Sequence, residues 1–251
     1  MDALKQNKQR YLIRTLFVKI MKIIGLIGGM SWESSLEYYR IINEGVKEKL
    51  GGLHSAKSIM YSVDFEQIEQ LQHQGNWEEL TNIMIQAAKH VERGGADFLL
   101  ICTNTMHKMA VDIRDNIDIP LLHIADATAD RIKQKGLKRV GLLGTMFTME
   151  QDFYKGKLVE EHGIDVIIPD EEERRIVHDV IYNELCLGMI KDISREQYKG
   201  IIRSLISNGA EGIILGCTEI PLLVKQVDVD VPLFDTTTIH AEAAVEYATR
   251  D

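Results

Sequence analysis

Gly95-Ala96-Asp97-Phe98-Leu99-Leu100-Ile101-Cys102-Thr103 returns as Gly209-Ala210-Glu211-Gly212-Ile213-Ile214-Leu215-Gly216-Cys217, 114 positions later. Each copy opens on a glycine, runs through apolar residues and ends on a small side chain with a titratable or hydroxyl group. Two further pairs keep the same order. Gly25-Leu26-Ile27-Gly28-Gly29-Met30 matches Gly141-Leu142-Leu143-Gly144-Thr145-Met146 at an offset of 116, and Ile119-Pro120-Leu121-Leu122 matches Val231-Pro232-Leu233-Phe234 at 112. Three matches in one order, at similar offsets, imply two equivalent units.

Around these runs the chain alternates short apolar stretches with longer amphipathic ones. Strands are expected at Ile23–Ile27, Ser58–Val63, Phe98–Cys102, Leu121–His123, Val140–Leu143, Val166–Ile168, Gly212–Leu215 and Leu233–Phe234. Helix-length segments between them include Glu33–Leu50, Trp77–Arg93, Met149–His162, Glu171–Met189 and Arg195–Ser207. This alternation builds βαβ units and parallel sheets. The expected fold is α/β, with two pseudosymmetric Rossmann-like lobes, each a mostly parallel four-stranded sheet flanked by helices. Ligands of such sheets bind outside the carboxyl ends of the strands, so two facing lobes place an active site in the cleft between them. The third repeat pair suggests that the last strand and helix complete the first lobe. The expected division is an N-terminal extension at 1–20, a first lobe at 21–118 plus 228–251, and a second lobe at 119–227.

The bulk numbers narrow the function. The chain has 251 residues, 45% of them hydrophobic, and a net charge of −9. That balance argues against a nucleic-acid partner, which calls for a basic face. No apolar run approaches the roughly 18 residues of a membrane helix, so no membrane partner is expected. Cys102, Cys186 and Cys217 are too few and too scattered for a disulfide framework or a metal cluster, and point to a reducing cytoplasm. The first twenty residues are basic, with Lys5, Lys8, Arg10, Arg14 and Lys19 against Asp2. Met21 then opens the strand-like MKIIGLIGG, and is read as the functional start.

The repeat sets Thr103 opposite Cys217. Each ends a strand and precedes small polar residues that open a helix, Asn104-Thr105 in one half and Thr218-Glu219 in the other. Amide groups at a helix start favour an anion such as a substrate carboxylate, and the same field lowers a cysteine pKa. Cys217 is therefore a candidate thiolate, against the simpler reading of a small core residue. Cys102 neighbours Thr103, so its side chain faces the other way along the strand and reads as core. Cys186, in a helical pattern, also reads as core. The turns at Gly28-Gly29-Met30-Ser31 and Gly144-Thr145-Met146 allow close backbone approach to a ligand, but match neither a dinucleotide fingerprint nor a phosphate-binding loop. His107 and His123, near strand ends, are suited to positioning acid–base groups.

GLIGGMSWESS, CTNTMH, LLGTMFTMEQDFY and GCTEIPLL together resemble the aspartate/glutamate racemase superfamily, from Met21 to near the C-terminus. The resemblance implies a homodimer with no pyridoxal phosphate, no other cofactor and no metal. It also implies a two-base mechanism with a cysteine from each lobe flanking the Cα of an amino-acid substrate. The second catalytic cysteine falls on Cys217, whereas the first falls on Thr103. Asn104 and Thr105 take the carboxylate-binding places. Thr218 and Thr145 take further polar places, and Met30 and Glu219 complete the expected substrate contacts. The two anchors for a side-chain carboxylate fall in segments that here hold Lys57 and Cys186, which unsettles aspartate specificity. The expected function is a cofactor-independent racemase of aspartate, glutamate or related amino acids, faster from L to D because only Cys217 is a tunable base. The alternatives are a hydantoin racemase, decarboxylase or isomerase of the same superfamily, and a non-catalytic binder of small carboxylates.

Overall fold

The computed structural model describes residues 21–250, and the extension expected at 1–20 lies outside the described residues. The first sheet is built from β1 (Ile24–Gly28), β2 (Ser58–Ser62) and β3 (Phe98–Ile101), in the order β2-β1-β3 and parallel throughout. Helices α1 (Trp32–Leu50), α2 (Phe65–His73), α3 (Trp77–Arg93) and α4 (Ala110–Arg114) surround it. After α5 (Ile124–Gln134) comes the second sheet, β4 (Arg139–Gly144), β5 (Asp165–Ile167), β6 (Ile213–Gly216) and β7 (Leu233–Asp235), in the order β5-β4-β6-β7 and also parallel. Its helices are α6 (Met146–Glu150), α7 (Asp152–Glu160), α8 (Glu171–Asn183), α9 (Asp192–Ser207) and α10 (Ile220–Leu223), and α11 (Thr236–Ala248) closes the described chain.

Two parallel α/β sheets are thus present, and the strands bury both faces. Side chains along β3 alternate between two cores. Phe98, Leu100 and Cys102 pack with Tyr38, Ile42 and Ala244 on one side, while Leu99 and Ile101 pack with Met84 and Val91 on the other. This is the period-two consequence of a strand covered on both sides, and it places Cys102 in the core. Helix α1 shows the matching period: Ser34, Tyr38, Ile42 and Val46 are buried, Ser31 caps the start and Gly51 ends it at φ 72°. That positive φ suits glycine.

Four expectations change. The first sheet has three strands rather than four, because Leu121 pairs with Leu99 only as an isolated bridge. Pro120 has no N–H to donate, and His123 already caps α5, so the chain turns into a helix before a ladder can form. The strand at Leu233–Asp235 joins the second sheet beside β6, while α11 packs against α1 through Ala241, Ala244 and Val245. The bridge at Leu121 and the strand Leu233–Asp235 therefore lie beside the opposite sheets from those expected, and only the closing helix returns to the first. The helix expected at Met149–His162 is two helices broken at Gln151, whose backbone is extended. The segment expected at Glu171–Met189 stops at Asn183, where Glu184 leaves the helical region and a tight turn follows over Leu185–Leu187. Among the described residues no helix is long and apolar enough to cross a membrane.

Three histidines meet behind the end of β3. His107 Nδ1–H donates to the Thr103 carbonyl at 2.8 Å, and its Nε2 accepts from the Ile124 N–H. His240 Nε2–H donates to the Leu122 carbonyl at 3.0 Å, so its Nδ1 accepts from the Tyr38 hydroxyl at 2.8 Å. His123 Nδ1 accepts from the Ala125 N–H. Burial pushes His107 down to about 4 and His240 down to about 3, and burial with the neighbouring His107 lowers His123 too. The fold holds these rings neutral, whereas the unfolded chain protonates them near 6.5. The stability they permit is fully present above that value and is lost as pH falls through the interval below it. Urea unfolding should show a loss on the order of 3 kcal/mol from His107 alone between about pH 7 and pH 4. The His107→Gln protein, less stable at neutral pH, should decline less steeply. Parallel declines in the two proteins would assign the acid sensitivity to other groups.

Candidate active site

The carboxyl ends of β3 and β6 face each other across the seam between the lobes. There Thr103 and Cys217 line one cavity of about 30 Å³, together with Met30, Asn104, Thr105, Thr145 and Glu219. Seven of the eight expected site residues converge on it. Thr218 does not line it, because its hydroxyl is turned to Glu219 at 2.8 Å and to Ser34 at 2.6 Å. A larger groove of about 820 Å³ between α1, α5 and α11 is lined by side chains such as Glu44, Glu48, Asp130 and Arg131. None of the eight expected site residues lines it.

The two lobes lock onto each other reciprocally. Ser31 caps α1, and its hydroxyl accepts from the Ser34 N–H. Thr145 caps α6 in the same way, accepting from the Thr148 N–H. From the second lobe, Glu219 reaches the first pair: its Oε1 accepts from Ser31 at 2.7 Å and from Ser34 at 2.5 Å. From the first lobe, Thr105 reaches the second pair, with its hydroxyl 3.2 Å from that of Thr145 and 3.4 Å from that of Thr148. Thr105 and Glu219 are equivalent in the repeat, two positions after Thr103 and Cys217. Each lobe therefore presents a side chain to the capped helix start of the other.

Glu219 is 4% exposed. Its second oxygen, Oε2, accepts from the Thr218 hydroxyl and from the Cys217 Sγ–H at 3.0 Å. A carboxylate has about four acceptor sites, and protein donors fill them. Glu219 therefore holds Cys217 rather than offering a free oxygen to a substrate. The expected lowering of the Cys217 pKa is reversed: burial, and then the charge of Glu219, push the thiol well above its ordinary value. Helix α10 has only four residues, and desolvation outweighs its field. With the cavity closed, Cys217 is a thiol.

Asn104 also differs from expectation. It is 2% exposed, and its Nδ2 donates to Thr236 Oγ1 at 3.0 Å. The single Thr236 hydroxyl proton goes to the Leu215 carbonyl at 2.9 Å. Thr236 can then only accept from Asn104, which fixes the amide orientation. Asn104 Oδ1 is left buried with no partner. The residue expected to donate to a carboxylate instead presents an acceptor.

Cys186, read from sequence as core, lines the cavity with Phe65, Gln72, Ile181 and Tyr182. Sequence reasoning missed Ser31, Ser34, Thr148, Gln72 and Tyr182. The first three carried a signal, since Ser31-x-x-Ser34 and Thr145-x-x-Thr148 each open a helix with a capping residue. Gln72 and Tyr182 meet across the lobes through a 3.2 Å hydrogen bond that nothing local announces. Lys57 is exposed, and its carbonyl accepts from Ile24 N at the amino end of β1. It stands at the opposite end of the sheet from the cavity, roughly 13 Å away along a five-residue strand.

The family model described as Asp/Glu/hydantoin racemase matches residues 27–244. A Yersinia pestis crystal structure, provisionally described as an Asp/Glu racemase, is 57% identical, covers 92% of this chain and 100% of its own, and superposes with a TM-score of 0.86. An aspartate racemase homologue from Pyrococcus horikoshii is 39% identical with a TM-score of 0.79, over 92% of this chain and 100% of its own. A broad specificity amino-acid racemase from Bacillus subtilis is 25% identical over 171 residues, which is 67% of this chain and 72% of that protein.

Glu219→Gln removes the charge beside Cys217 and keeps the side-chain size. The alkylation rate of Cys217 by iodoacetamide should then rise at a lower pH than in the parent protein, because one cause of the raised thiol pKa is gone. Ser34→Ala deletes one donor to the buried carboxylate, and should cost about 1–3 kcal/mol in urea unfolding. An unchanged alkylation profile would separate Glu219 from the thiol.

Proposed function

This chain belongs to the Asp/Glu/hydantoin racemase family, and from that premise we propose a pyridoxal-phosphate-independent racemase of aspartate, glutamate or amino acids of similar size. The observation that carries the proposal is the pairing of Thr103 and Cys217, equivalent in the repeat, on opposite lobes of one buried cavity. Racemisation needs a proton removed from one face of Cα and another returned to the opposite face. A carbanion forms only where preorganised polar groups meet its charge in a site that excludes water.

The cavity supplies matching groups for an α-amino acid. Asn104 Oδ1 is the acceptor for the substrate's ammonium, which gives that buried oxygen its missing partner. The hydroxyls of Thr105 and Thr145, 3.2 Å apart in the cavity lining, take the carboxylate. The ammonium also brings positive charge close to Cys217 and favours its ionised form. The thiol proton then passes to Glu219 Oε2, already in hydrogen-bond contact at 3.0 Å. The resulting thiolate takes the α-proton of the L enantiomer. Thr103, or a water that it holds, returns a proton to the other face. The α-proton leaves Cys217 a thiol again, and as product leaves Glu219 gives its extra proton to solvent while Thr103 takes one back, which restores the carboxylate and the hydroxyl. In the reverse direction Thr103 must act as base. A hydroxyl is poorly matched to that task, so kcat is higher from L to D, with KM higher in proportion because the two enantiomers are equal in free energy.

L-aspartate and L-glutamate incubated in deuterated buffer should lose their α-proton signal, with chiral chromatography recording the D product. Cys217→Ala should lower exchange from L substrate by about 100-fold or more. Thr103→Cys should raise the D-to-L rate by at least about tenfold. Exchange that survives Cys217→Ala would sink the assignment. The role of Asn104 is read separately, by competitive binding of L-aspartate and of L-malate, which carries a hydroxyl in place of the ammonium. Asn104→Ala should weaken aspartate at least about tenfold, equivalent to about 1.4 kcal/mol, and leave malate nearly unchanged. Equal losses for both ligands would make the effect structural.

A further inference from the structure

We propose that the side-chain subsite of this enzyme is built for an uncharged side chain, so that amides, alcohols or thioethers of the size of aspartate and glutamate turn over faster than the dicarboxylates themselves. The inference rests on the racemase reading. It starts from the largely apolar part of the cavity lining.

That part is Phe65, Ile181, Tyr182 and Cys186, with Gln72 at its edge. Among the described residues that line the cavity none carries a positive charge, and the only charged side chain is Glu219. Tyr182 spends its hydroxyl proton on Gln72 Oε1 at 3.2 Å, which leaves Gln72 a neutral amide at the far end. The nearby cations are engaged elsewhere. Lys108 Nζ donates to Gln151 at 2.6 Å and lies 4.0 Å above the Trp77 ring. Lys191 pairs with Glu184 at 3.2 Å. Lys57 stands at the opposite end of the first sheet.

A second carboxylate brought into this cavity would lose its water, find no cation among the described residues, and share the space with the carboxylate of Glu219. Burying such a charge without a partner is unfavourable. A neutral side chain of equal length loses far less, and its polar end can meet the amide of Gln72. Specificity of this kind arises from what the pocket refuses as much as from what it binds.

The experiment measures kcat/KM for α-proton exchange in deuterated buffer with L-aspartate and L-glutamate, beside L-asparagine, L-glutamine and L-methionine. The best neutral substrate should exceed both acids by at least tenfold, and Cys186→Lys should narrow or reverse that gap. Should this variant fail to fold, the thermal shift of the unaltered protein with the same five ligands should rank the neutral ones above the acids. Aspartate or glutamate outrunning every neutral amino acid would overturn the inference and leave the racemase reading intact. No exchange with any amino acid would overturn the racemase reading itself.

Discussion

A carboxylate buried between two lobes must be surrounded by donors, and Glu219 sets the terms for everything around it. Two of its donors, Ser31 and Ser34, come from the first turn of α1 in one lobe; the others, Cys217 and Thr218, come from the end of β6 in its own. Neither lobe alone can satisfy it. Losing one donor leaves an acceptor desolvated at a cost of about 1–3 kcal/mol, and separating the lobes removes two at once. The lobes are held in one register by the same group that touches the reactive thiol. Closure of the cleft and the protonation state of Cys217 are therefore coupled through one side chain.

This contact also explains why a helix-start argument about Cys217 points the wrong way. The field of a helix end falls off within its first turn and is modest. Removing a thiolate from water, next to a carboxylate, is the larger effect. The sequence shows a cysteine ahead of a helix, but not its burial or the carboxylate's position. Asn104 follows the same logic. Its type and place are legible in the repeat, but the direction of its amide is decided by Thr236, 132 residues away, and by the Leu215 carbonyl.

Much of the remainder was legible because duplication leaves a record that local pattern amplifies. The alternation of apolar and amphipathic runs gave the strands and their parallel sense, and the repeat brought Thr103 and Cys217 to one place. What escaped depended on contacts distant in sequence. A bridge at Leu121 rather than a strand follows from Pro120 and from the cap at His123. The allocation of Leu233–Asp235 to the second sheet follows from its pairing with β6, which the repeat alone cannot distinguish from pairing with β3. Cys186 reached the cavity because α8 stops at Asn183 and a tight turn redirects the chain, although the apolar period continues beyond that point.

The remaining question is why duplication was kept in the scaffold and broken in the chemistry. The breaks are paired. Thr103 stands where the second lobe has Cys217, and two positions on, Thr105 stands where the second lobe has Glu219. Thr105 faces the hydroxyls of Thr145 and Thr148, and Glu219 faces those of Ser31 and Ser34. In the proposed mechanism the thiol sheds a proton inside a closed cavity and needs an acceptor within reach, which Glu219 Oε2 supplies at 3.0 Å. A buried carboxylate in the first lobe would add a second charge to a space of about 30 Å³ and raise the cost of every anion formed there. Under the proposed mechanism the two substitutions are one adjustment: the lobe that carries the thiol also carries the carboxylate that takes its proton.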